Sequence, residues 1–127
     1  MIIGIGTDLV EVRRIQQSLD KFGERFAQKI LANEELPQFA AAKFPVSFLA
    51  KRFAAKEAVA KALGTGMRAG VHFSNIAVVH DAAGKPGVKL SAAAQKRAVQ
   101  LGIKHWHLSI TDERQFALAF VVAEKDA

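Results

Sequence analysis

Residues 48–66, FLAKRFAAKEAVAKALGTG, form the stretch around which the chain is organised. Ala, Leu, Lys, Arg and Glu fill most of it, and all are strong helix formers. The stretch therefore predicts a helix that ends at Gly64, because glycine readily adopts the positive φ that terminates helices. Pro45 is expected to close the preceding short helix. Helical periodicity places Phe48 and Val59 on one side, which is predicted to pack into the core.

The opposite side of this helix carries Phe53, Glu57 and Lys61 in line. A solvated face does not normally hold a phenylalanine beside a carboxylate, so this side is expected to be covered by another element or subunit. A covered carboxylate needs a partner, because an unpaired buried charge is costly. Two partners are open: Lys61, in an i,i+4 ion pair that contributes little to stability, or a metal ion.

The composition limits the class of protein. A length of 127 residues, half of them hydrophobic, suits a single domain over residues 1–127. The absence of cysteine excludes disulfides, thiolate zinc sites and thiol catalysis. No apolar run is long enough to span a membrane, and the first residues lack the pattern of a signal peptide. We therefore expect a cytoplasmic location and no membrane partner.

A net charge of +6 favours anionic partners, which include nucleic acids, phosphorylated ligands and acidic proteins. Part of this charge recurs at helical spacing in Lys21, Arg25 and Lys29. A parallel apolar stripe, which predicts a packing face, consists of Phe22, Phe26 and Ile30. The ordinary interpretation of the basic stripe is a solvated helix face. The functional interpretation is a docking surface for an acidic helix.

The N-terminal residues Met1–Gly6 predict a short strand, followed at once by Asp8. Asp8 and Glu11 have the spacing of a helix N-cap and its capping-box partner. Local sequence therefore gives Asp8 a structural role at the start of a helix near Val10. A functional role for the carboxylate stays open beside it.

The second half of the chain alternates polar and apolar residues, which indicates strands. The predicted elements are a hairpin of Ile76–His80 with Val88–Leu90, a helix over Ala92–Leu101, and strands over His105–Thr111 and Gln115–Ala123. The last strand is apolar on both faces, whereas one face of a small antiparallel sheet is usually wet. We therefore predict an α+β fold, with a small antiparallel sheet packed with helices, and a homo-oligomer in which another copy covers the second face.

Two segments, IGTDLVEVRRI at 5–15 and residues 48–66, resemble the signature segments of the holo-[acyl-carrier-protein] synthases, the bacterial 4′-phosphopantetheinyl transferases. The similarity extends to Gly84-Lys85-Pro86 and to HLSITDERQFALAFVV at 107–122. The resemblance implies a magnesium-dependent transfer of 4′-phosphopantetheine from coenzyme A to a serine of apo acyl carrier protein, which releases adenosine 3′,5′-bisphosphate and supports fatty acid biosynthesis. It also implies a homotrimer with active sites between subunits.

The resemblance assigns the metal ligands to Asp8 and Glu57, and Mg²⁺ is typically held by one or two carboxylates plus substrate phosphates. Together with Lys61 these are the predicted catalytic residues, and the general base is left open between Glu57 and a metal-bound water. The predicted coenzyme A contacts are Arg52, Lys56, Lys61, Gly64, Gly66, Lys85, Pro86 and His107. The predicted contacts to the acidic carrier protein are Arg14, Lys21, Arg25, Phe26 and Lys29.

Two alternatives from other classes compete with this interpretation. The positive charge suits a nucleic-acid-binding module, but no recognised motif or stacking pattern of aromatic and basic residues supports one, so no nucleic acid partner is predicted. A non-enzymatic oligomeric scaffold would make Asp8 a cap and Glu57 an ion-pair member. One departure from the family pattern is Phe116, where relatives commonly carry a tyrosine, and it removes a hydroxyl at that position.

Overall fold

The computed structural model, which describes residues 1–127, contains two antiparallel sheets packed with helices. The α+β prediction is confirmed. Its elements in chain order are β1 (Ile2–Glu11), α1 (Val12–Phe22), α2 (Glu24–Ile30), α3 (Leu36–Ala40), α4 (Pro45–Ala62), β2 (Ile76–His80), β3 (Pro86–Leu90), α5 (Ala92–Leu101), β4 (His105–Asp112) and β5 (Phe116–Glu124). Short 3₁₀ turns at Asn33–Glu35 and Phe73–Asn75 directly precede α3 and β2. None of these helices is both long and apolar enough to cross a lipid bilayer.

The helix α4 packs directly on a three-stranded sheet of order β1-β5-β4. The inner face of β5 is fully buried through Ala117, Ala119, Val121 and Ala123. In β1, a Cβ atom at Gly4 or Gly6 would overlap the carbonyl oxygens of Ala62 and Ala58. Glycine at these two positions therefore lets the backbone of α4 lie against β1, where no larger residue would fit.

The central helix is longer than the sequence predicted. It begins at Pro45, because proline fits the first turn of a helix, where its missing N–H is not needed. The expectation that Pro45 closes the preceding helix is wrong. The end is as predicted, since Gly64 has a φ of +78° directly after the helix. The side of α4 that carries Phe53 is partly covered, because the Phe53 ring stacks on the Phe73 ring with 5.1 Å between centroids.

The prediction that Asp8 caps a helix is wrong. Strand β1 continues to Glu11, and within it Asp8 pairs with Ala119 of β5. Helix α1 begins only at Val12, with Glu11 as an N-cap that makes no side-chain cap hydrogen bond. Pairing along the whole length of β5 thus prevails over the local capping signal. Asp8 is thereby freed from the structural role that the sequence suggested.

The predicted elements of the second half of the chain are confirmed within two residues. The strand β2 and the helix α5 have the predicted bounds, and Gly102 ends α5 with a φ of +75°. The β3 strand starts at Pro86, β4 ends one residue later than predicted, and β5 begins and ends one residue later. The inward side chains of β4 are Trp106, Leu108 and Ile110, as the alternation indicated.

The second face of the three-stranded sheet is apolar and open. Ile5 is 61% exposed, Leu9 59%, Phe120 43% and Phe116 37%, and all four lie on the face opposite α4. Within one chain, β5 therefore has only one of the two covers that its sequence predicts.

Candidate active site

Asp8 and Glu57 line a single cavity of about 410 Å³ where β1, α1 and α4 meet. The two residues lie 49 positions apart in sequence, by subtraction of their residue numbers. Residues that complete the wall, which we call the Asp8–Glu57 cavity, are Leu9, Val10, Arg14, Ile15, Ser18, Phe26 and Phe53. The structure thus brings the two predicted metal ligands together, as the sequence interpretation required.

The approach of α4 to β1 explains why these carboxylates meet. Asp8 is two residues beyond Gly6, so strand alternation places both on the face of β1 toward α4. Glu57 directly precedes Ala58, whose carbonyl oxygen lies against Gly6. The close backbone contact at Gly6 therefore brings Glu57 to the same edge of the helix–sheet interface as Asp8.

Lys61 pairs with Asp8 and not with Glu57. Its Nζ lies 3.3 Å from Asp8 Oδ1 and donates a hydrogen bond to the Thr7 carbonyl oxygen at 2.8 Å. Glu57 takes part in none of the side-chain hydrogen bonds or salt bridges of the chain. The interpretation of Glu57 and Lys61 as an i,i+4 surface ion pair is therefore wrong, and the Glu57 carboxylate is free.

Both carboxylates of this cavity have raised pKa values. Burial raises the pKa of Asp8, which the hydrogen bond and charge of Lys61 only partly oppose. Burial raises the pKa of Glu57 as well, the negative charge of Asp8 adds to the effect, and Lys61 opposes it. Two partly buried carboxylates that are both costly to ionise favour a cation between them.

The donor set of the cavity suits a hard divalent cation. The chain contains no group of three or more His, Cys, Asp or Glu side chains that could hold a metal by themselves. Two carboxylates without imidazole or thiolate match Mg²⁺, which takes oxygen ligands and completes its shell with water and substrate phosphates. The residues present therefore fit the metal that the resemblance implies.

A second cavity, of about 250 Å³, brings Arg52 and Pro86 together. Its wall, which we call the Arg52 cavity, also contains Phe48, Lys51, His80, Gly84, Ile110 and Asp112. Burial lowers the pKa of His80, and the positive charges of Arg52 and Lys51 contribute, against the opposing charge of Asp81. Sequence reasoning missed Lys51 and His80, because strand and helix periodicity did not show that they face one cavity.

Lys56 lies in the protein interior, which contradicts its predicted contact with coenzyme A. The side chain is fully buried, and Nζ donates to the carbonyl oxygens of Ile30 at 2.8 Å and Phe73 at 3.1 Å. Its third hydrogen bond goes to Glu35 Oε1. An ammonium group has three donors, so none remains for a ligand. Glu35 carried no sequence signal, since nothing distinguishes it from the neighbouring exposed Glu34.

The remaining predicted ligand contacts lie outside the two cavities. Gly64 and Gly66 form the turn after α4, and their N–H groups donate to the carbonyl oxygens of Lys61 and Ala60. These bonds agree with a helix stop, and a contact with coenzyme A stays a prediction. Lys85 lies in the β2–β3 turn, where its N–H donates to Asp81. His107 lies on the open sheet face, with Nε2 3.0 Å from Glu124 Oε1.

The residues of the predicted docking surface divide into two groups. Arg14 and Phe26 line the Asp8–Glu57 cavity itself. The side chains of Lys21, Arg25 and Lys29 are exposed on α1 and α2. A break at Gly23, with a φ of +63°, separates these two helices, so the basic stripe crosses from one helix to the next.

Known proteins resemble this chain in sequence and in fold over nearly its full length. Residues 4–121 match the family model of the 4′-phosphopantetheinyl transferase superfamily. A holo-[acyl-carrier-protein] synthase of Vibrio cholerae is 51% identical over 125 residues, which cover 98% of this chain and 99% of that protein. The crystal structure of the Neisseria meningitidis synthase gives a TM-score of 0.93 at 54% identity, with 98% and 100% of the two chains covered.

A second solved structure is that of a holo-(acyl-carrier-protein) synthase from Bacillus anthracis in complex with CoA (3′,5′-ADP). It superposes with a TM-score of 0.83 at 39% identity, and the match covers 99% of each chain. Both signature segments lie inside every one of these matched regions, because the matches leave only a few terminal residues uncovered. The chain therefore belongs to the holo-[acyl-carrier-protein] synthase family of phosphopantetheinyl transferase enzymes.

Proposed function

We propose that the Asp8–Glu57 cavity is the catalytic centre of 4′-phosphopantetheine transfer from coenzyme A to a serine of apo acyl carrier protein, with Mg²⁺ held by Asp8 and Glu57. The observation that carries this proposal is the Glu57 carboxylate, which has no partner in the chain and shares its cavity with Asp8. The domain that acts in this way comprises residues 1–127.

The reaction is a phosphoryl transfer. The serine oxygen of the carrier protein forms a bond to the phosphorus that bears pantetheine, and the bond from that phosphorus to the oxygen of adenosine 3′,5′-bisphosphate breaks. Magnesium, when bound, would neutralise the pyrophosphate and orient the phosphate under attack. Glu57 is the residue of this chain suited to accept the serine proton, because its carboxylate lines the cavity and has no hydrogen-bond partner in the chain. Lys61 holds Asp8 in place.

In this proposal the Arg52 cavity contacts one end of coenzyme A, whose pyrophosphate lies at an Asp8–Glu57 cavity. Arg52, Lys51 and His80 supply donors for phosphate oxygens, and Arg is well suited to bidentate phosphate contacts. Lys85, in the turn next to Pro86, extends the positive charge at the edge of this cavity. The Bacillus anthracis relative, described as a complex with CoA (3′,5′-ADP), supports coenzyme A as the ligand.

The carrier protein docks beside the catalytic centre. Arg14 and Phe26 form part of the cavity wall, and the exposed Lys21, Arg25 and Lys29 continue the positive surface along α1 and α2. An acidic partner bound there would present its serine to Glu57. Complementary charge of this kind chiefly raises the association rate and weakens as salt increases.

The proposed enzyme is a homotrimer. Its support is the open apolar face of the three-stranded sheet, where Leu9 and Phe120 are among the large exposed side chains. An exposed apolar patch of this kind marks a protein interface. His107 lies on the same face, so a contact between His107 and coenzyme A requires the cavity of a neighbouring subunit. Sedimentation equilibrium that gives a monomer at micromolar concentration would contradict the trimer.

The proposed cellular role is activation of the carrier protein for fatty acid biosynthesis in the cytoplasm. The resemblance carries this assignment, and the lack of cysteine is compatible with a reducing compartment. Depletion of the protein in its host should make apo acyl carrier protein accumulate and fatty acid synthesis decline. Normal levels of holo carrier protein after depletion would contradict the role.

The deciding experiment is incubation with apo acyl carrier protein, coenzyme A and Mg²⁺, followed by intact mass measurement. We expect the carrier protein to gain one phosphopantetheine group, and EDTA to abolish the gain until excess Mg²⁺ restores it. No gain in the complete mixture would refute the transfer. A gain that persists in EDTA would refute the metal while leaving the transfer intact.

A further inference from the structure

A buried ionic cluster connects α4 to the segment before α3 and to β2. Its centre is Glu35, which has no exposed surface. Glu35 Oε1 accepts hydrogen bonds from the Ala32 N–H at 2.9 Å and from Lys56, and Oε2 accepts from Arg52 Nη1 at 2.7 Å and from the Val78 N–H at 3.2 Å. No buried side-chain nitrogen or oxygen of the chain lacks a partner.

The carboxylate of this cluster is held in its ionised form. Burial by itself raises the pKa of Glu35, but the charge of Lys56, with hydrogen bonds from Lys56, Ala32 and Arg52, outweighs it and lowers the pKa below the ordinary value. Glu35 is therefore an anion between two cations. All three N–H donors of Lys56 are used in hydrogen bonds within the protein interior. Arg52 is the one member of the cluster that also lines the Arg52 cavity.

Arg52 is held from three directions. Besides the bond to Glu35, its Nη2 donates to Gln38 Oε1 at 2.9 Å, and its guanidinium lies 4.4 Å from the centre of the Phe48 ring. Only two of its five N–H donors are used within the chain. The carboxylate thus sets the plane of the guanidinium and so determines which donors are left for a ligand.

We propose that Glu35 is a positioning residue for coenzyme A: it orients Arg52 so that the unused N–H donors face the Arg52 cavity. The inference rests on the proposed binding of coenzyme A in that cavity. It differs from a purely structural role, in which Glu35 only neutralises the buried Lys56. Pre-organised donors bind a phosphate more tightly because less conformational freedom is lost on binding.

The test separates the two roles with the double variant Glu35→Gln/Lys56→Met. Glu35→Gln alone would leave Lys56 as an uncompensated buried cation, which is strongly destabilising, whereas removal of both charges avoids that penalty. Arg52 still loses its charged partner in the double variant. We expect the double variant to fold, and its KM for coenzyme A to rise roughly tenfold, the effect of losing one charge-assisted hydrogen bond.

Two further readouts make the expectation specific to positioning. The KM for the carrier protein and the kcat should stay within about twofold of the wild type, since neither depends on the Arg52 donors. The matched control is Glu34→Gln, because Glu34 is the neighbouring residue, is exposed and forms only a surface pair with Lys89 at 3.3 Å. It should keep all wild-type constants.

Distinct results would overturn the proposal. A folded double variant with the wild-type KM for coenzyme A would show that Glu35 serves only the fold, and so would equal losses in kcat and in both KM values. If the double variant does not fold, Glu35→Asp, which keeps the charge but is one methylene shorter, should still raise the KM for coenzyme A, and an unchanged value would refute positioning. Failure of the wild type to bind coenzyme A would instead refute the proposed function.

Discussion

Glu57→Gln removes one negative charge from the Asp8–Glu57 cavity while preserving the length and shape of the side chain. Because Glu57 has no partner in the chain, the substitution breaks no hydrogen bond or ion pair. Its raised pKa shows that ionised Glu57 is held at a cost to the folded state, through burial and the charge of Asp8. We therefore expect the metal-free variant to be as stable as the wild type or slightly more stable.

The loss of cation affinity should be large by comparison. Wild-type Asp8, Glu57 and Lys61 together carry one net negative charge, whereas the variant retains only the neutral Asp8–Lys61 pair. Two unit charges about 4 Å apart at an effective dielectric constant of about 20 interact with about 4 kcal/mol. A divalent ion doubles the attraction, and partial dehydration of the ion opposes it. We take a net loss of about 3 kcal/mol, which is roughly a hundredfold in Kd.

Calorimetric titration of Mg²⁺ in the presence of coenzyme A measures the affinity, and intact mass of the carrier protein measures transfer. Thermal unfolding in EDTA measures stability. Glu113→Gln is the matched control, because Glu113 is an exposed carboxylate in the β4–β5 turn. Wild-type affinity and transfer rate in Glu57→Gln would refute its role as a ligand. A fall of several degrees in Tm would show that Glu57 supports the fold.

Three further substitutions test the docking surface, the sheet face and the Arg52 cavity. Arg25→Glu should raise the KM for the carrier protein about tenfold and leave coenzyme A binding unchanged, and an unchanged KM in steady-state assays would reject this face. Phe120→Glu should be monomeric in sedimentation experiments and inactive in the transfer assay, whereas a stable trimer would place the interface elsewhere. Burial and the charges of Arg52 and Lys51 lower the pKa of His80 from its ordinary value of 6.5, so the unfolded chain takes up the proton first as the pH falls. The free energy of unfolding should therefore decrease as the pH falls through 6.5. His80→Gln should flatten this dependence in chemical denaturation, and an identical pH profile would contradict the assignment.

The sequence was informative where periodicity and glycine placement act locally. The bounds of β2 and α5, the stop at Gly64 and the inward face of β4 all follow from patterns that a short window contains. The two apolar faces of β5 also predicted that one face needs a cover from outside the chain. Phe120 lies on that face and is exposed in the single chain. These features depend on the chain's own alternation and not on which distant segment lies beside it.

Other features depended on distant contacts and could not be predicted in this way. Asp8 has the spacing of a helix cap, but antiparallel pairing of β1 with the nine-residue strand β5 places it in a strand. Lys56 and Glu57 are adjacent in a helix of charged and small residues, and only the tertiary fold shows that one is buried and the other lines a cavity. The carboxylate that pairs with the buried Lys56 is Glu35, which lies 21 residues before it.

The contact at Gly6 links fold and site in a single feature. The backbone of α4 approaches β1 so closely at Ala58 that only a hydrogen atom fits at Gly6. Glu57 directly precedes Ala58, and Asp8 lies two residues beyond Gly6. Packing therefore brings two carboxylates together: burial raises the pKa of both, and the charge of Asp8 raises the pKa of Glu57 further. A divalent cation held between the two carboxylates, as proposed, would offset this cost of ionisation. The same glycine that lets α4 pack on β1 thus brings the two proposed metal ligands, one from each signature segment, to a single cavity.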